Sequence, residues 1–147
     1  MTSSSRIRPL LAAGLLLLAA GCNNGTSSPL APDQSSVAYS QVDLTVGTGA
    51  EAAAGTTATV QYIGWFYSET GTDHKGAQFS SGQLQPFVVG STALIKGFDM
   101  AVTGMKVGGV RRAIIPPSLA YGAAGNAAGG IPPNAALVFE ILLGIVQ

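Results

Sequence analysis

The chain has one histidine and one cysteine in 147 residues, and that scarcity limits what its side chains can do. His74 lies in a polar, turn-forming stretch from Ser68 to Gly76, with no second ligand or nucleophilic partner near it, and reads as a solvated residue. No pair of histidines, no cysteine pair and no cluster of histidine with carboxylates has the spacing of a metal site. No serine stands in a nucleophile-elbow context, which argues against a Ser-His-Asp or Cys-His hydrolase. The glycine-rich stretches 104–109 and 122–130 match neither of the phosphate-binding glycine patterns. An enzyme built from this sequence must therefore work without a nucleophile, a metal or a cofactor.

Composition narrows the field further. Apolar residues make up 47% and charged residues 10%, with 20 glycines and 8 prolines at no fixed period, so a single turn-rich globular domain is expected. The formal charge is zero, and without Arg6 and Arg8 five basic residues remain against seven acidic ones. A weakly acidic protein of this kind lacks the clustered Lys and Arg that phosphate backbones require, so no nucleic-acid partner is expected. The adjacent Arg111 and Arg112 are the one basic cluster, and in a strand they would point to opposite faces, solvated or ion-paired.

The first residues read as an export signal. Met1 to Arg8 is polar and basic, and Leu10 to Ala20 is an apolar run of eleven residues, about half of the ~20 needed to span a bilayer as a helix. Cys22 follows at once, cannot form an intramolecular disulfide, and sits after Ala19-Ala20-Gly21 in a stretch that resembles a bacterial lipoprotein cleavage site, with Ala19 where Leu is usual. The resemblance implies a signal peptide over 1–21, a diacylated Cys22 as the new N-terminus and attachment to the membrane through that lipid. Residues 22–36 are then a polar tether, with an r.m.s. reach of about 20 Å. The expected location is the bacterial cell envelope, facing the periplasm.

The folded part is expected over 37–147. Val37 to Val46 alternates apolar and polar residues in its second half, which predicts a half-buried strand. Thr56 to Tyr67 is rich in β-branched and aromatic residues, the strongest strand signal in the chain. Ala93 to Met105 places Leu94, Phe98, Ala101, Val102 and Met105 at helical spacing. Gly109 to Ile115 and Ala135 to Val146 read as strands, the latter apolar at nearly every position and so central. One short helix against several antiparallel strands defines an α+β domain with the helix on one face of the sheet.

A reaction that needs no nucleophile or cofactor is rotation about the peptide bond preceding proline. Its barrier of roughly 18–20 kcal/mol comes from amide resonance, and twisting the bond involves no covalent step with the protein. Six segments occur in an order that bears on this: Val60-Gln61-Tyr62-Ile63-Gly64, Gly76-Ala77-Gln78-Phe79, Leu94-Ile95-Lys96-Gly97-Phe98, Ala120-Tyr121-Gly122, Ile131-Pro132-Pro133-Asn134 and Leu137-Val138-Phe139-Glu140. Together they resemble the FKBP-type peptidyl-prolyl isomerases, from about Ser40 to Gln147.

The resemblance implies a bent antiparallel sheet wrapped around one short helix, with a substrate proline held between them. It places Tyr62, Phe79 and Phe139 in the pocket walls and Phe98, where the family usually has Trp, at the floor. Leu94, Ile95 and Ile131 border the pocket, and the Ile95 backbone N–H binds a substrate carbonyl. Tyr121 reaches over the top as a hydrogen-bond donor, and Phe87 is a further wall aromatic. Ser80 stands where the family normally has Asp, whose carboxylate orients pocket tyrosines. The segment between Phe79 and Phe87 is shortened, which implies a trimmed edge strand without its bulge. Asn126 and the extra glycine at Gly129-Gly130 alter the flap. The implied partners are proline-containing polypeptides, acted on by a monomer without cofactor or metal. A module that holds proline segments as a chaperone, with little catalysis, is the alternative.

Overall fold

The computed structural model describes residues 33–147. Its strands are β1 (Ser40–Thr45), β2 (Thr57–Tyr67), β3 (Lys75–Gln83), β4 (Phe87–Val88), β5 (Val110–Ile115) and β6 (Leu137–Val146), and its helix is α1 (Lys96–Val102). The strands form one antiparallel sheet in the order β1-β5-β6-β2-β3, with β4 also paired to β2. The apolar β6 is central as expected, hydrogen-bonded to β2 on one side and β5 on the other.

Alternation along the strands sends Val60, Ala113, Leu137, Phe139, Ile141 and Leu143 to the face that meets α1, where all are buried. From the helix, Phe98, Ala101 and Val102 enter the same core. Gly97 brings the two layers together: a Cβ there would lie 2.3 Å from Ile115 Cγ2, so only a residue without a side chain lets α1 approach β5 this closely.

Two expectations need correction. The helix spans Lys96–Val102 rather than Ala93 to Met105, because Ile95 is extended (φ −60°, ψ 140°) and Gly104 (φ +77°) turns the chain away. Apolar spacing outside the helix persists because Leu94 and Met105 still pack on the core from non-helical backbone. The first strand is not half-buried, since every residue of β1 is exposed. Its apolar Val42 and Leu44 face solvent, whereas Asp43 points to the helix side and meets Arg111. At the edge next to the pocket, β3 pairs with β2 without a register shift from Ser80 to Gln83, and its two shifts lie nearer its start, between Lys75 and Ser80.

Arg111 and Arg112 do take opposite faces. The buried Arg111 donates from Nη1 to the Ala101 and Thr103 carbonyls at 3.0 and 3.1 Å, closing the C-terminal end of α1, and from Nε and Nη2 to the Asp43 carboxylate at 2.6 and 3.2 Å. A cation at that end also complements the helix dipole. Arg112, on the outer face, pairs with Asp73 and with Glu140, to which Lys75 also binds.

Within the stretch read as a tether, Gln34 hydrogen-bonds to Tyr67, Asn134 and Ala136.

Candidate active site

The site is a cavity of about 610 Å³ between α1, the inner face of the sheet and the loop that follows β5. Four aromatic rings make its apolar body. Phe139, on the central strand, meets Phe98 edge-on at 5.2 Å and Phe79 at 5.7 Å, and Tyr62 lies 6.0 Å from both Phe98 and Phe139. Edge-to-face contacts of this kind suit the ring quadrupoles and fix the rings relative to one another.

Gly64 makes the cluster fit. It faces Phe139 across β6 and Ser80 across β3, and a Cβ on it would come within 2.8 Å of Phe79 and 2.9 Å of Phe139. The missing side chain is therefore what allows the two phenyl rings to meet over the sheet.

Phe98 sits in the first turn of α1, 4% exposed, and forms the floor. Leu94 and Ile95 precede the helix and line the cavity, Ile95 from extended backbone. The Ile95 carbonyl accepts from the Phe98 and Asp99 N–H groups, whereas its own N–H has no acceptor among the described residues. Asp99 ties the helix start to the preceding turn by accepting the Gly90 N–H at 2.8 Å.

Tyr121 and Ile131 come from the loop after β5. Tyr121 has φ −103° and ψ 0°, in the bridge region between β and helical conformations, and its half-buried ring lines the cavity. Asn126 and Ile131 exchange backbone hydrogen bonds of 2.8 and 2.9 Å, which pinch the loop into a flap, and the Asn126 side chain accepts from the Gly129 N–H. Asn126 and Gly129 also line the cavity.

The Tyr62 hydroxyl is 2.9 Å from Ser80 Oγ. A neutral hydroxyl thus meets the tyrosine at the position where the family's usual pattern has a carboxylate. Among the described residues no lining side chain is charged: the wall groups are aromatic, aliphatic, hydroxyl or amide. Acid–base or electrostatic catalysis by an ionised side chain has no candidate among them, and hydrogen bonding within an apolar enclosure is what the site can offer.

Nine of the ten pocket residues expected from sequence converge here, namely Tyr62, Phe79, Ser80, Leu94, Ile95, Phe98, Tyr121, Ile131 and Phe139. Phe87 does not. It is buried in β4 opposite Ala58 and belongs to the core under the sheet, while Leu84 and Ala93 supply the wall assigned to it. The two-residue strand β4 turns Phe87 and Val89 inward, a packing role that an aromatic in sequence does not reveal. Leu84 and Ala93 carried no signal beyond being apolar next to turns. Cys22 lies outside the described residues. His74 is exposed and stacks on Tyr67 with ring centroids 5.2 Å apart, remote from the cavity lining.

An antiparallel sheet with one short helix and an uncharged aromatic cavity between them is the arrangement of a prolyl isomerase domain. Residues 49–144 match the family described as FKBP-type peptidyl-prolyl cis-trans isomerase, and the chain belongs to that family. Among its relatives, the FK506-binding protein of Neisseria meningitidis serogroup A is 43% identical over 103 residues, covering 69% of this chain and 89% of that protein. FK506-binding protein 3 of Candida albicans is 43% identical over 101 residues, which are 69% of this chain but 22% of that longer protein. The chain spans between 20% and 29% of the length of four such longer relatives. Among solved structures, a peptidyl-prolyl cis-trans isomerase of Pseudomonas syringae superposes with a TM-score of 0.60 at 31% identity, over 80% of this chain and 83% of that one. AtFKBP13 gives 0.60 at 32% identity, over 76% and 94%.

Proposed function

We propose that the protein catalyses cis–trans isomerisation of Xaa-Pro bonds in polypeptides, and that it does so in exported chains as they fold. The observation that carries this reading is the uncharged aromatic cavity closed by Tyr121 and floored by Phe98. A planar amide is more charge-separated than a twisted one, so an apolar enclosure disfavours the ground state relative to the transition state. The Ile95 N–H and the Tyr121 hydroxyl hold the carbonyls flanking the proline, so that binding energy is directed at the twisted geometry. Exchange of a short Xaa-Pro peptide between its isomers, followed by NMR, tests this. Acceleration that the macrolide FK506 suppresses supports the reading. A peptide that binds without faster exchange would point instead to a holding chaperone.

The same reading extends to location. A lone cysteine placed directly after an apolar leader supports lipidation at Cys22 and anchorage of a monomer to the bacterial envelope on its periplasmic side. In a bacterial host, radiolabelled palmitate is incorporated into the wild type and not into Cys22→Ser; equal labelling of both would remove the anchor from the account.

A further inference from the structure

The side-chain amide of Gln34 completes a rung of the sheet. Beyond Phe66 and Leu137, the last paired residues of β2 and β6, the next two are Tyr67 and Ala136. The Tyr67 N–H donates to the Ala136 carbonyl at 3.0 Å, but the reciprocal bond is not direct. Gln34 stands within it: Oε1 accepts from the Ala136 N–H at 2.8 Å, and Nε2 donates to the Tyr67 carbonyl at 3.1 Å. A planar carboxamide presents one acceptor and two donors, and here it acts as an inserted peptide unit. Ala136 is fully buried, so its N–H would otherwise be left unpaired away from water.

Gln34 also reaches the site. Its own N–H donates to the Asn134 carbonyl at 3.3 Å, and the Asn134 N–H donates to the Gly122 carbonyl at 2.9 Å, next to Tyr121. Asn134 holds a left-handed conformation (φ 55°), which Asn tolerates better than most residues and which needs support from its neighbours. Ile131 lies three residues before it on the same loop. Gln34 therefore pins the far end of the loop that carries Tyr121, Asn126, Ala128, Gly129 and Ile131 of the cavity lining.

We propose that Gln34 is a positioning residue for the isomerase site, holding the Tyr121–Ile131 flap in register through Asn134, so that the segment preceding the domain is coupled to the pocket. This rests on the isomerase reading of the cavity. In the full chain, Gln34→Ala should speed hydrogen exchange at the Ala136, Asn134 and Gly125 amides, the last of which donates to the Tyr121 carbonyl at 3.1 Å. It should also lower kcat for an Xaa-Pro peptide by roughly fivefold, the worth of one ordinary hydrogen bond, with a smaller change in KM. Val110→Ala, at the other end of β5 and on the outer face, is the control for lost stability and should leave kcat unchanged.

Unaltered exchange at Asn134 and Gly125 would overturn the proposal, as would faster exchange with wild-type kcat, or an equal loss in Val110→Ala. If the wild type itself is inactive, the isomerase reading fails separately. The exchange data then show only whether Gln34 holds the loop.

Discussion

Ser80 illustrates how a single residue can retain a geometry while removing a charge. Its hydroxyl meets the Tyr62 hydroxyl at 2.9 Å, so the ring stays oriented although no carboxylate is present. Ser80→Ala should therefore lower kcat/KM by roughly fivefold, matching about 1 kcal/mol for the lost hydrogen bond, whereas Ser80→Thr should keep most of the activity. Equal activity in all three proteins would mean that Tyr62 needs no partner. At this scale the pocket was legible wherever a residue sat in a motif of fixed spacing, as Tyr62, Ile95 and Phe139 do. It was not legible where the same residue type serves core and pocket alike, which is why Phe87 was assigned to the wrong place. Gln34 was hidden for another reason: in a run of polar residues nothing marks the one whose amide a distant strand pair will capture.

Among the elements, α1 depends on its contact with β5 more than on helix propensity. Gly97→Ala would gain about 1 kcal/mol of intrinsic helix preference, yet the new Cβ would fall 2.3 Å from Ile115 Cγ2. Overpacking of that kind costs about 1–3 kcal/mol, so the substitution should lower the urea midpoint and, by tilting Phe98, weaken peptide binding. A midpoint at or above the wild-type value would show that the layers have room to separate. The strand β2 was readable because β-branched and aromatic residues suit a pleated surface, and β6 because a central strand can be apolar at nearly every position. The ends of α1 were not, since Leu94 and Met105 continue the apolar pattern from irregular backbone. For β1 the alternation was real but the face was reversed, because an edge strand beyond the helix can turn Asp43 inward to Arg111 and leave Val42 and Leu44 in water.

The whole molecule separates its charges from its chemistry. Among the described residues the charged pairs lie at the end of α1 and on the outer face of the sheet, while no carboxylate, imidazole or amine lines the cavity. The hydrogen bond from Arg111 holds the Asp43 carboxyl below its ordinary value. Burial pushes Glu140 up, but hydrogen bonds from Lys75 and Arg112 outweigh it and leave that carboxyl lowered too. Groups depressed in the folded state contribute stability above the ordinary carboxylate range, near pH 4, and lose it as pH falls through their lowered values. Chemical denaturation should therefore show stability falling below about pH 4, with a shallower fall in Glu140→Gln. Turnover per folded molecule should stay level between about pH 5 and 8, where no charged group in the cavity titrates.

The isomer exchange of an Xaa-Pro peptide, measured by NMR with the wild type and with Phe98→Ala, bears most directly on the central claim. The account predicts that the wild type speeds exchange without shifting the isomer ratio, and that Phe98→Ala, still folded by circular dichroism, loses most of that acceleration with its floor. A folded wild type that leaves the exchange rate at its uncatalysed value, or a Phe98→Ala variant as fast as the wild type, would contradict it.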